Sequence, residues 1–112
     1  MYKKLITAAV FIILTLGVNA SERFYIPHFV PEFVFIGDGY LQIDLPYEIN
    51  SDECAIKNRI VVPDDHKYFD HYVSIALTSL VSEKKLHVAV GAPCLGNPSW
   101  FQVRNVMALV KN

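Results

Sequence analysis

The chain carries no surplus charge of either sign. Ten lysines and arginines stand against eleven aspartates and glutamates, and the formal net charge is −1 with the four histidines neutral. No basic patch is visible, which sets nucleic acid aside as a partner. A basic amphipathic helix able to hold an anionic membrane is missing too. Cysteine is scarce, with two in 112 residues. They do not form a CxxC, and no third ligand sits at metal spacing, so a redox or metal pair is not expected. Ser-His-Asp combinations can be drawn, but no nucleophile motif supports one. Cofactor motifs, internal repeats and low-complexity segments are all absent. The expectation is a protein that is not an enzyme and holds neither cofactor nor metal.

What is present begins with an address. Lys3 and Lys4 make a basic start, an apolar run fills 5–18, and Val18-Asn19-Ala20 offers small residues before a cut. Residues 1–20 read as a bacterial secretory signal peptide. The run is short for a transmembrane helix, which needs roughly 20 residues. The alternative is an uncleaved anchor. After cleavage, residues 21–112 would form one small domain, secreted or periplasmic, not attached to a membrane. In an exported chain Cys54 and Cys94 are expected to form one disulfide. The loop it closes would stabilise the fold by roughly 3–4 kcal/mol on the chain-entropy account.

The rest is organised around residues 64–94. Val62-Pro63 should end a strand, since proline biases its predecessor away from helix. Asp64 or Asp65 can then cap a helix over about 66–82. Phe69, Val73, Ala76 and Leu80 make its apolar stripe, widened by Tyr72, Ile75 and Leu77. Glu83-Lys84-Lys85 is a charged turn. Leu86, Val88 and Val90 alternate with His87, Ala89 and Gly91, the period of a strand.

Before that stretch, Phe33-Val34-Phe35-Ile36 and Tyr40-Leu41-Gln42-Ile43-Asp44-Leu45 flank Gly37-Asp38-Gly39, a hairpin signal. The first arm is apolar on both faces, which suits a central strand or one whose outer face meets a partner. A third strand follows over 53–62, with Asn58 at a bulge or an edge. After the loop 95–99, a last strand over 100–110 should change phase at a bulge around Arg104-Asn105, turning Val106, Ala108 and Val110 inward. Residues 21–30, broken by Pro27, read as an edge strand or an extended arm. The fold class is α+β, mostly β. The inventory is that of a small five-stranded OB-like antiparallel barrel or half-barrel, with the helix between strands 3 and 4.

Ala76-Leu77-Thr78-Ser79-Leu80-Val81-Ser82, the charged turn and Leu86-His87-Val88-Ala89-Val90 together resemble the B subunits of the subtilase cytotoxin and typhoid toxin group. Those subunits carry a similar helix, a short polar turn and a strand with a basic residue between aliphatic ones. The run from Phe101 to Val110 is similar to their closing strand, and to a wider set of small exported bacterial proteins. The resemblance covers roughly residues 53–110. It implies an OB barrel, a ring of five subunits and recognition of sialylated glycans. This chain is shorter, and its N-terminal half does not match the segment that supplies the family's sugar-binding serine. No glycan-binding residue is therefore carried over.

The candidate binding residues are aromatic and amide side chains: Trp100 and Asn97 at the late loop, and Tyr40. Aromatics beside Asn, Asp and Gln stack on sugar faces or anchor protein partners. Trp100 has a second reading, as a cap on the open end of the barrel core. The apolar arm 24–35, with Phe24, Phe29, Phe33 and Phe35, is the candidate contact in a homo-oligomer, or else packs within the monomer. His66 and Asp70 lie four apart and could pair on one helix face. His87 reads as a solvated residue on the polar face of its strand. The function expected is an exported binding module for a glycan or protein partner. The alternative is a periplasmic structural or interaction protein with no ligand pocket.

Overall fold

The computed structural model describes residues 23–96 and 99–111. The expected signal peptide and Asn97 lie outside the described residues. In chain order the elements are β1 (Phe24–Tyr25), β2 (Phe33–Gly37), β3 (Tyr40–Asp44), β4 (Ile56–Pro63), α1 (Phe69–Ser82), β5 (Leu86–Leu95) and β6 (Trp100–Leu109). The strands form one six-stranded sheet in the order β1-β5-β6-β4-β3-β2. The described residues are thus mostly β with one helix, as expected, but with six strands rather than five. All pairings are antiparallel except β4 with β6, which is parallel.

The β2–β3 hairpin turns on Asp38 and Gly39, both with positive φ. That conformation matches the twist of the strands it joins, and Asp-Gly adopts it readily. β2 is an edge strand and not a central one. No ladder joins β1 to β2, so the sheet is not closed by strand pairing. It is nevertheless strongly curled. Phe29 exchanges backbone hydrogen bonds with Leu86 on the outer side of β5, and the Glu32 N–H donates to the Asp44 carbonyl on the outer side of β3. Three residues of chain reach at most about 11 Å. In a flat sheet the positions bonded to those two sides, where Phe29 and Glu32 sit, would stand about 24 Å apart.

The core lies inside this curl. Leu41, Ile43, Ile60, Val62, Leu86, Val88, Val90, Phe101 and Val103 are essentially inaccessible, and Ile26 and Phe29 close over them from the N-terminal segment. Cys54 and Cys94 are bonded to each other, 40 residues apart in sequence, tying the start of β4 to the end of β5.

The helix corrects two expectations. It begins at Phe69, and neither Asp64 nor Asp65 caps it; Tyr68 occupies the cap position with no side-chain bond to the first turn. The Asp64 N–H is drawn to the Gly39 carbonyl (2.9 Å), which fastens the end of β4 to the hairpin turn instead. The buried face departs from the expected one at two positions: Tyr72 and Ala76 are buried and Phe69, Val73 and Ile75 pack against the core as expected, but Leu77 is exposed and Ser79 is buried in its place, while Val81 is 83% exposed. Burying Ser79 costs little because its hydroxyl donates to the Lys84 carbonyl just beyond the helix end.

β6 carries the expected bulge, but the phase does not change. Ala89 alone on β5 faces Arg104, Asn105 and Val106, because Val88 pairs with Met107 and Val90 with Val103. Two extra residues preserve parity, so Met107 is buried while Ala108 is exposed. Asn105, in the left-handed region, sits at the bulge. A similar irregularity in β4 between Ile56 and Ile60 leaves Asn58 exposed, as its bulge position suggests.

Candidate functional site

Two of the three expected binding residues meet. Tyr40 begins β3 and Trp100 begins β6, and β4 runs between those strands. Two strands separated by a third are about 9.5 Å apart. The ring centroids are nonetheless 6.0 Å apart, at 76° to each other. Both side chains therefore lean over the outer face of β4. Under that roof lies Val61, which is paired to Gln42 on one side and Gln102 on the other and is wholly inaccessible although it points away from the core. Tyr40 and Trp100 themselves are half-buried, each keeping part of its ring surface open. Trp100 does not belong to the interior core cluster, so the reading as a core cap does not hold.

Polar groups frame the rings. Arg59 donates to the facing Asp44 from Nε (2.6 Å to Oδ1) and from Nη2 (3.3 Å to Oδ2), across the β3–β4 ladder. The charged hydrogen bond to Asp44 pushes the Arg59 guanidinium further up from its already high range. The Gln102 amide donates to the Pro93 carbonyl (2.8 Å), and Arg104 donates to the Ala92 carbonyl, so both hold the end of β5 against β6. The outer face of β3, β4 and β6 thus combines an aromatic pair, the Gln42 amide and a fixed ion pair. It can stack on a flat apolar face and exchange hydrogen bonds around its rim.

The sequence reading missed a concavity elsewhere on the domain. A cleft of about 250 Å³ opens between the N-terminal strand and the 46–50 connection, lined chiefly by Phe24, Tyr25, Pro27, Tyr47, Glu48 and Asn50. Tyr47 anchors it. Its hydroxyl donates to the Pro27 carbonyl, and its ring packs edge-on against Phe29. Burial pushes the Tyr47 hydroxyl up to about 12. The available signal was the aromatic-acid-amide composition of Tyr47, Glu48 and Asn50, which reads locally as a loop.

His66 does not pair with Asp70. Its Nδ1 accepts from the Tyr68 N–H (3.0 Å), which leaves the proton on Nε2 to donate to Asn105 Oδ1 (3.2 Å). His66 thereby fastens the start of the helix to the β6 bulge. His28 and His87 also meet: His28 Nε2 and His87 Nδ1 are 3.1 Å apart, with Tyr25 stacked on the His87 ring. Of the expected contact arm, Phe24 packs edge-on against Phe101 and Phe29 is buried, whereas Phe33 and Phe35 are exposed and stacked on each other.

No protein-family model, curated protein or solved structure matches the chain. The disulfide fits an extracellular or periplasmic setting; among the described residues no helix is long and apolar enough to cross a membrane.

Proposed function

We propose that the chain is an exported, non-enzymatic binding module on an OB-like barrel, akin to a toxin B subunit, which recognises a glycan or a protein through the outer face of β3, β4 and β6. The observation that carries the proposal is the Tyr40–Trp100 pair leaning across β4 with Gln42 and the Asp44–Arg59 pair beside it. Sugar recognition asks for this pattern: a ring to stack on, with planar polar groups at its edge. The barrel reading treats β1 and β2 as two halves of one bent first strand, which returns the count to five. It is supported by the helix between β4 and β5 and by the parallel β4–β6 pair.

In this reading copies of the chain meet through β2. That strand has a free edge and exposes Phe33, Phe35 and Ile36, a concentration of apolar surface that monomers rarely leave open. Phe24 and Phe29 are spent on the chain's own core and play no part in that contact. The test combines a glycan array with the mass of the protein in solution. Binding to a defined set of glycans that is lost in Trp100→Ala, by an oligomer that dissociates in Phe33→Asp, supports the proposal. A monomer that binds no glycan contradicts it.

The same edge favours one alternative, a periplasmic interaction protein whose β2 adds to the sheet of another envelope protein. Co-purification of such a partner, abolished by Phe33→Asp and indifferent to Trp100→Ala, would select this reading.

A further inference from the structure

The geometry points to a metal site that neither residue suggests alone: His28 and His87 form a two-histidine clamp for a divalent first-row transition-metal ion, fastening the N-terminal segment to β5. His28 follows β1, and His87 is the second residue of β5. Two backbone connections fix their relative position, the Tyr25–Ala89 pair on one side and the Phe29–Leu86 bridge on the other.

His28 Nε2 and His87 Nδ1 stand 3.1 Å apart. Two imidazole nitrogens sharing one tetrahedral ion at about 2.0–2.1 Å lie about 3.3–3.4 Å from each other. A shift of a few tenths of an ångström, with the rings turning by about 35° so that both lone pairs converge on one point, converts the observed pair into two ligands. The rings stand at 89° to each other with centroids 5.1 Å apart, so they approach by their nitrogen-bearing edges and not by their faces. Tyr25 lies flat on the His87 ring, 4.7 Å away and 11° from parallel, and sets its plane before an ion arrives. His28 is exposed and His87 half-buried, so a hydrated ion has direct access.

Without metal, one ring donates its N–H to the other. With metal, both facing nitrogens present lone pairs, and the two protons sit on the far nitrogens, His28 Nδ1 and His87 Nε2. Two neutral rings need lose no proton to bind; the donor ring only changes tautomer. The described residues contain no cluster of three or more His, Cys, Asp or Glu side chains at metal spacing, and both cysteines are in the disulfide. Water therefore completes the coordination shell. Imidazole ligands favour Cu²⁺, Ni²⁺ and Zn²⁺ over Mg²⁺ and Ca²⁺.

The experiment titrates tag-free protein with Zn²⁺ and Cu²⁺ by calorimetry, with Mg²⁺ as control, and follows the histidine ring resonances by NMR. The inference expects one saturable site per chain for Zn²⁺ and Cu²⁺ and none for Mg²⁺. His28→Ala and His87→Ala should each abolish it, while His66→Ala and His71→Ala should keep it. In the unaltered protein Zn²⁺ should shift the rings of His28 and His87 ahead of the other two, a readout that depends on no variant. Absence of a saturable site overturns the inference. So does a site that survives in His28→Ala and His87→Ala, or one whose first ring shifts fall on His66 or His71.

Discussion

Tyr40 and Trp100 meet edge to face across the outer side of β4, although no ladder connects their strands. The contact exists because β4 pairs with β3 on one side and with β6 on the other, and because Val61 between them offers an apolar floor. Removing either ring wets that floor. Tyr40→Ala and Trp100→Ala should each cost about 1–2 kcal/mol in urea unfolding. The double variant should fall short of their sum by about 0.5–1.5 kcal/mol, the coupling expected of an aromatic pair. Strict additivity would mean the rings do not support each other.

The disulfide closes the chain around β4, the helix and most of β5. Replacing both cysteines by alanine should lower stability by roughly 3–4 kcal/mol, through the freedom returned to the unfolded chain. Reductant should destabilise the unaltered protein by a similar amount and leave the double variant unchanged. Urea melts with and without reductant make the comparison.

The helix buries a polar residue, Ser79, and leaves an apolar one, Val81, in solvent. Ser79→Ala removes the buried hydroxyl that donates to the Lys84 carbonyl and should cost about 1 kcal/mol. Val81→Ser, at a site 83% exposed, should change stability by less than about 0.5 kcal/mol. Paired denaturation curves make the comparison, and the reverse order would contradict the burial of Ser79.

Tyrosine sets the alkaline limit. The Tyr47 hydroxyl is raised from its ordinary 10.0 to about 12 by burial. Tyr72 is raised by burial and then by the charge of Tyr68. A folded value above the unfolded one stabilises the fold below pH 10, and that contribution fades as pH climbs from 10 to 12. Melting temperature should therefore fall across that window. In Tyr47→Phe, which also loses the bond to Pro27, the fall should be shallower from a lower starting point. An identical slope in the two proteins would remove Tyr47 from the account.

Local features were legible in the sequence. The Asp38-Gly39 turn, the helix, its charged exit, the bulge near Asn105 and the cysteine pair each rest on residues close in sequence or on a count of two. Features set by distant pairing were not. Asp64 looks like a cap, but the bond from its N–H to the Gly39 carbonyl holds it at the end of β4, and the helix begins only at Phe69. The helix is apolar on nearly every side, so its pattern fixes no unique buried face, and the docking against the sheet selected Tyr72, Ala76 and Ser79. Tyr40 and Trp100 could be named as aromatics, but their meeting follows from the parallel β4–β6 pair, which no periodicity announces. His28 and His87 are 59 residues apart, and each taken singly reads as a solvated side chain.

Trp100 is the only tryptophan in the chain, so its emission reports directly on the proposed face. The decisive measurement is a fluorescence titration with the glycan best retained on the array. The account predicts a saturable change in emission whose midpoint matches the binding constant from calorimetry, weakened about 3- to 10-fold in Tyr40→Ala. Emission that stays flat while calorimetry records binding, or a Tyr40→Ala protein that binds as tightly as the original, would place recognition elsewhere on the domain.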